Sequence, residues 1–136
     1  MRSMGRRLAV LAALIVAGAA LSACSGPGEV SIEYTQDAVT VTSGQTLVVD
    51  FGEINPSVGD DWVITSEPDS AVLGGGEADF SSDAPEGMTG APGELVYRFT
   101  AVAPGTTVIA FEYRFRGDLP EYVDDRKTAE ITVTVE

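Results

Sequence analysis

Cys24 is the only thiol in the 136-residue chain, and no position holds a histidine. A serine or cysteine nucleophile therefore lacks an imidazole base, and a zinc site would have neither imidazole nor a second thiolate to close on. Paired carboxylates are the remaining route to catalysis, as in glycoside hydrolysis. Twenty-one Asp and Glu residues crowd a small chain, so pairs at a working distance arise by chance and none is singled out. Asp60-Asp61 and Asp124-Asp125 carry hard oxygen donors of the sort calcium takes. Neither pair has the spaced ligands and glycine of an EF-hand, and both read as solvated loop charge. The composition points away from an enzyme, a cofactor or a resident metal.

The residues better suited to recognising a partner lie in Ile54-Asn55-Pro56-Ser57-Val58-Gly59-Asp60-Asp61-Trp62, which interrupts an otherwise alternating apolar pattern. Pro56 fixes its own φ and biases Asn55 towards extended backbone. The Asn55 side chain can bond its own loop, and Gly59 permits a positive φ or the close approach of another segment. A loop stiffened in this way loses little entropy on docking. Trp62, in phase with Ile64, is expected to anchor the core rather than touch a partner.

Cys24 has a separate use. Arg2, Arg6 and Arg7 precede an apolar run over residues 8–21, the charge-then-apolar order of a secretory signal. The run is short for a membrane span. It ends in Leu21-Ser22-Ala23-Cys24, which resembles a bacterial lipobox, where the cysteine takes a lipid and the chain is cut before it. Arg6-Arg7 would also suit twin-arginine export, but the Leu-Ala-Val that follows matches poorly and ordinary secretion is expected. The map is a signal peptide over 1–23, a lipidated N-terminus and linker over 24–37, and a folded domain over 38–136. Ser25-Gly26-Pro27-Gly28 reads as a short leash, and two or more acyl chains would hold the protein stably on the membrane of a bacterial envelope, outside the cytoplasm. The membrane is then contacted through lipid alone. With its one cysteine consumed, the domain forms no disulfide.

Three of the eight basic residues leave with the signal, so the remainder carries five against twenty-one acidic residues, a net of −16. Nucleic acid needs a basic footprint and is not an expected partner. The acidity reads as solubility and repulsion from an anionic envelope, with an acidic docking face as the alternative.

These candidate residues must be positioned by strands, because period-two alternation runs through most of the domain and no helix-length window shows a period of 3.6. Leu47, Val49 and Phe51 share a face, as do Leu95, Tyr97, Phe99 and Ala101; Ile109, Phe111 and Tyr113; and Ala129, Ile131, Val133 and Val135. Val39 and Val41 open the series, and Trp62 and Ile64 resume it. Six or seven such strands in about 110 residues point to an all-β fold, an immunoglobulin-like antiparallel β-sandwich of about seven strands, without the Cys-Trp-Cys pin of a true immunoglobulin domain. Residues 65–93, rich in Gly and Pro, are expected to be mostly loop with a short strand near 71–73. Residues 114–127 form a second irregular stretch. Alternate loops of a sandwich gather at one end, so the stretches around Pro56, Gly90 and Arg114 are expected side by side.

Asn55-Pro56-Ser57-Val58-Gly59, followed by Trp62, resembles the Asn-Pro-Thr-Thr-Gly-aromatic loop of the chagasin-like inhibitors of papain-family cysteine proteases. Gly90-Ala91-Pro92-Gly93 before Glu94-Leu95-Val96-Tyr97 is similar to that family's Gly-x-Gly-Gly motif and its strand. Ala103-Pro104-Gly105-Thr106 resembles its turn, and Phe111-Glu112-Tyr113-Arg114 the strand entering its third loop. The resemblance spans residues 38–136. It implies a monomeric, reversible inhibitor whose partner is a papain-like cysteine protease and whose three loops enter the protease cleft uncleaved. The implied protease-binding residues are Asn55, Pro56, Ser57, Val58, Gly59 and Asp60 at the centre, flanked by Gly90, Ala91, Pro92 and Gly93 and by Arg114, Phe115 and Arg116.

The chain departs from the family pattern at Val58 for Thr, Asp60 for the aromatic and Pro92 for Gly. Its third loop has neither the Pro nor the Trp of the family's Arg-Pro-Trp, and Arg114 or Arg116 with Phe115 stand in that region. The alternative is an envelope-anchored, non-inhibitory binding module that keeps the immunoglobulin-like fold.

Overall fold

Period-two alternation buries one row of a strand and exposes the other. In the computed structural model, which describes residues 28–136, eight strands close one core, with the buried rows longest in β3, β6, β7 and β8. The expected signal peptide and Cys24 lie outside the described residues. The strands are β1 (Glu29–Glu33), β2 (Ala38–Val41), β3 (Thr46–Ile54), β4 (Asp60–Ser66), β5 (Leu73–Ser81), β6 (Gly93–Ala101), β7 (Gly105–Phe115) and β8 (Thr128–Val135), with a 3-10 turn at Val123–Asp125. They form two four-stranded sheets, ordered β1-β3-β6-β5 and β2-β8-β7-β4. This is the all-β sandwich expected from the alternation. The short edge strands β1 and β2 pair in parallel with β3 and β8, and every other ladder is antiparallel.

Leu47, Val49 and Phe51 of β3, Leu95, Tyr97 and Phe99 of β6, Ile109 and Phe111 of β7 and Ile131 and Val133 of β8 fill the space between the sheets. Phe51 is central, with ring centroids 4.8 Å from both Trp62 and Phe111. Trp62 is 3 % exposed, as expected of a core anchor. Alternation from Phe51 would next bury Glu53, yet Ile54 is buried and Glu53 exposed. A bulge between Asp50 and Gly52 shifts the phase. Gly52 takes φ 73° there, and its N–H donates to Asp50 Oδ1 at 2.7 Å.

Three expectations need correction. Residues 73–81, expected in a loop, form β5, a nine-residue edge strand paired with β6 and bulged between Gly75 and Glu77. Residues 29–33, expected in the linker, form β1 and bury Ile32. Strand β7 runs on to Phe115, so Arg114 and Phe115 belong to a strand and the irregular stretch starts at Arg116.

Pairing fixes direction. Within each sheet β3 and β5 oppose β6, and β7 opposes β4 and β8. The β3–β4, β5–β6 and β7–β8 connections therefore leave the sandwich at one end, and they are the three loops that carry the candidate residues.

Candidate functional site

The rim is built from loops L1 (55–59), L2 (82–92) and L3 (116–127). L1 is a five-residue crossover between the sheets. Inside it, the Val58 and Asp60 N–H groups donate to Asn55 O at 3.2 Å, and the Gly59 N–H to Pro56 O at 3.1 Å. Asn55 Oδ1 accepts the Ser57 N–H at 3.1 Å, an Asx turn that stiffens the tip as the sequence suggested.

Each neighbour supplies a tie. Asn55 Nδ2 donates to Gly90 O of L2 at 3.1 Å. Gly59 O accepts the Arg116 N–H of L3 at 2.8 Å. Asp60, the first residue of β4, accepts the Tyr113 hydroxyl at Oδ1 and the Asn55 N–H at Oδ2, at 2.5 and 3.2 Å. Burial, then the hydrogen bond to Asp60, then the charges of Asp60 and Asp125 push the Tyr113 hydroxyl up to about 12. It remains a donor throughout the neutral range.

L2 closes on itself through Ser82 Oγ, which donates to Pro92 O at 2.9 Å. L3 is steered by Arg126, whose Nε donates to Pro120 O at 3.1 Å. Arg116 turns the chain at φ 55° and lays its guanidinium 5.2 Å from the Phe115 ring centroid. A cleft of about 490 Å³ opens beside L3, walled by Tyr113, Phe115, Pro120, Tyr122, Asp125 and Lys127.

The structure brings most of the expected residues together. Pro56, Ser57 and Val58 are exposed at the L1 tip, and Gly90, Ala91 and Pro92 lie beside it in L2. Gly93 is instead buried as the first residue of β6. Asp60 turns its carboxylate back towards Tyr113. Arg114 lies in register with Asp61, and its Nη2 is 3.5 Å from Glu112 Oε2. Phe115 and Arg116 stand at the rim where β7 ends. Asp60 and Asp61 separate, with Asp61 Oδ1 accepting the Trp62 N–H at 2.8 Å.

Other rim residues escaped the motif comparison. Met88, Leu119, Tyr122 and Val123 are exposed on L2 and L3 at 61, 41, 70 and 71 %. With Val58 and Phe115 they place six of the nine large apolar side chains exposed among the described residues on the rim of a strongly acidic molecule. Large apolar side chains inside otherwise polar turn segments were the available signal.

The model of the chagasin family of peptidase inhibitors, family I42, matches residues 40–135. The chain belongs to the chagasin family. That match spans six strands whole, the end of β2 and all three rim loops. Among solved structures, amebosin is 20 % identical, covers 82 % of this chain and 100 % of its own, and has a TM-score of 0.62. The cysteine protease inhibitor EhICP2 from Entamoeba histolytica is 17 % identical, covering 80 % of this chain and 96 % of its own, with a TM-score of 0.59. No curated protein matches the chain by sequence. The two solved structures show the fold, and the family match shows that this chagasin-family sandwich is the fold of peptidase inhibitors.

Proposed function

We propose that this protein is a reversible inhibitor of papain-like cysteine proteases, anchored to an envelope membrane by lipid on Cys24, whose L1, L2 and L3 enter the protease cleft together. The observation that carries the reading is the pair of cross-loop bonds, Asn55 to Gly90 and Arg116 to Gly59, which join the three loops into one rim. A rim already assembled gives up little conformational freedom on docking. Without histidine or a free thiol beyond the lipid site, the chain blocks a protease without chemistry of its own.

The test is inhibition of papain by the domain from Gly28 onward, which holds every strand of both sheets. Reversible inhibition is expected, weakened in a double variant at Pro56 and Gly59. Absence of inhibition at micromolar domain against several papain-type enzymes would overturn the proposal. It would favour the second reading, an envelope-anchored binding module. The observation on that side is the end of β7 and L3, where Arg114 has Glu112, on its own strand, as its ion-pair partner at 3.5 Å and no tryptophan stands at the rim.

A further inference from the structure

We infer that Asp60 and Tyr113 are positioning residues for the inhibitory rim: the Asp60 carboxylate, drawn back to the Tyr113 hydroxyl, fixes the shape that L1 presents. The inference rests on the proposed inhibitory reading for its effect on affinity, but not for the contact itself. Asp60 follows L1 and opens β4, while Tyr113 lies in β7, 53 residues along the chain. Asp60 faces Phe115 across the ladder, and Tyr113 faces Trp62. The carboxylate thus reaches back along β7 by two residues to find the hydroxyl. One oxygen takes that hydroxyl and the other takes the Asn55 N–H at 3.2 Å, so a single side chain clamps both ends of L1.

A charge-assisted bond of this kind is stronger than the 3.1–3.2 Å neutral bonds inside L1. Among the described residues no ion pair competes for Asp60, and Tyr113 gives its only side-chain hydrogen bond. The tyrosine is itself held. Its ring packs 5.8 Å from Trp62, and Lys127 Nζ, at the end of L3, lies 5.4 Å from its centroid. Asn55 then passes the constraint on to Gly90. Gly90, Asn55, Asp60 and Tyr113 form one chain of contacts from L2 through L1 to the base of L3. The Asp60 carboxylate, turned inward, is a brace for the loop rather than a contact for the protease.

The experiment uses the purified full-length protein in detergent as wild type, Tyr113→Phe, Asp60→Asn and the double variant. Tyr113→Phe keeps the ring between Trp62 and Lys127 and deletes only the hydroxyl. Backbone amide exchange is followed in L1 and, as an internal standard, in β6; papain affinity is measured alongside. Tyr113→Phe is expected to speed exchange in L1 about tenfold, to leave β6 unchanged and to raise the papain dissociation constant about tenfold. The double variant is expected to go no further than Asp60→Asn alone, because the hydroxyl that Tyr113→Phe deletes acts only through the Asp60 carboxylate. Unchanged L1 exchange in Tyr113→Phe overturns the inference, and so do additive effects in the double variant. A wild type that does not bind papain overturns the inhibitory reading alone, and the exchange rates still decide the brace.

Discussion

A Cβ placed on Gly59 would stand 2.5 Å from Cγ of Arg116 and 3.0 Å from its backbone nitrogen. The backbone of L3 is thus pressed onto a position in L1 that only glycine can fill, at φ 111°. Arg116 could swing its guanidinium aside, but its nitrogen is pinned by the bond to Gly59 O. Gly59→Ala is expected to destabilise the domain by about 1–3 kcal/mol through strained backbone and that displaced bond. It is also expected to weaken papain inhibition in proportion to the loss of the L1–L3 junction. Denaturant titration checks the first effect; an unchanged midpoint would show that the two loops do not press together.

Asn55→Asp separates the two jobs of one side chain. The carboxylate still accepts from the Ser57 N–H, but it cannot donate to Gly90 O. The expected loss of stability is about 1 kcal/mol. Papain affinity should fall by more than that change in folding accounts for, since L2 is released from L1. Equal inhibition by Asn55→Asp and wild type would remove the Asn55–Gly90 tie from the working rim.

Alkaline pH should reveal Tyr113. An unfolded tyrosine releases its proton near pH 10, whereas Tyr113 holds its own to about 12. Between those values the unfolded chain binds fewer protons than the folded one, so unfolding becomes easier as pH rises. Its contribution is present in full below pH 10 and lost as pH passes through about 12. Burial, followed by the charge of Asp61, also raises Tyr97, whose hydroxyl donates to Trp62 O at 2.6 Å. Tyr113→Phe is expected to flatten the alkaline decline and leave the part due to Tyr97. An unaltered alkaline melting profile in Tyr113→Phe would argue against this account.

The rows that were legible in sequence are those whose burial is set by local alternation: Leu47 to Phe51, Leu95 to Ala101 and Ala129 to Val135 sit inside as the period demands. Strand β5 was not legible, because Gly74-Gly75-Gly76 and the acids that follow carry no alternation. Its register comes from β6, through pairs such as Leu73 with Ala101 and Phe80 with Leu95. Strand β1 does alternate, with Val30 and Ile32, but it is five residues long and needs the edge of β3 to exist. The convergence of three loops followed from the strand count and from the family motifs. The Asp60–Tyr113 contact did not, because a phenol in phase with a core row gives no local sign that its hydroxyl serves a loop.

Trp62 is the residue on which affinity and stability should part. Its indole meets Phe51, Tyr34 and Tyr113 at 4.8, 5.0 and 5.8 Å beneath the rim and is 3 % exposed. Trp62→Ala is expected to cost about 3–5 kcal/mol. Trp62→Phe should cost less and leave the inhibition constant of the folded protein where it was. A loss of affinity in Trp62→Phe larger than its loss of folded fraction would make the indole part of the contact surface.

The described chain begins at the pole opposite the rim. Glu29 pairs with Thr46 and Glu33 with Asp50, so β1 climbs alongside β3, and Gly28 O accepts the Thr46 N–H at 3.1 Å at the far end of β3 from L1. At roughly 3.3 Å per residue, the nine residues of β3 separate that end from the rim by about 30 Å. With the proposed lipid on Cys24, four residues before Gly28, the membrane would lie at the pole away from the loops, and an anionic surface would repel the acidic body. The rim would then face outward, open to a soluble protease. The anchored protein in vesicles and a Cys24→Ser protein released into solution are therefore expected to inhibit papain with the same constant. Lengthening the Ser25-Gly26-Pro27-Gly28 segment by ten residues should change nothing. An anchored form several-fold weaker than the free one, restored by the longer segment, would place the rim against the membrane and contradict the orientation that β1 imposes.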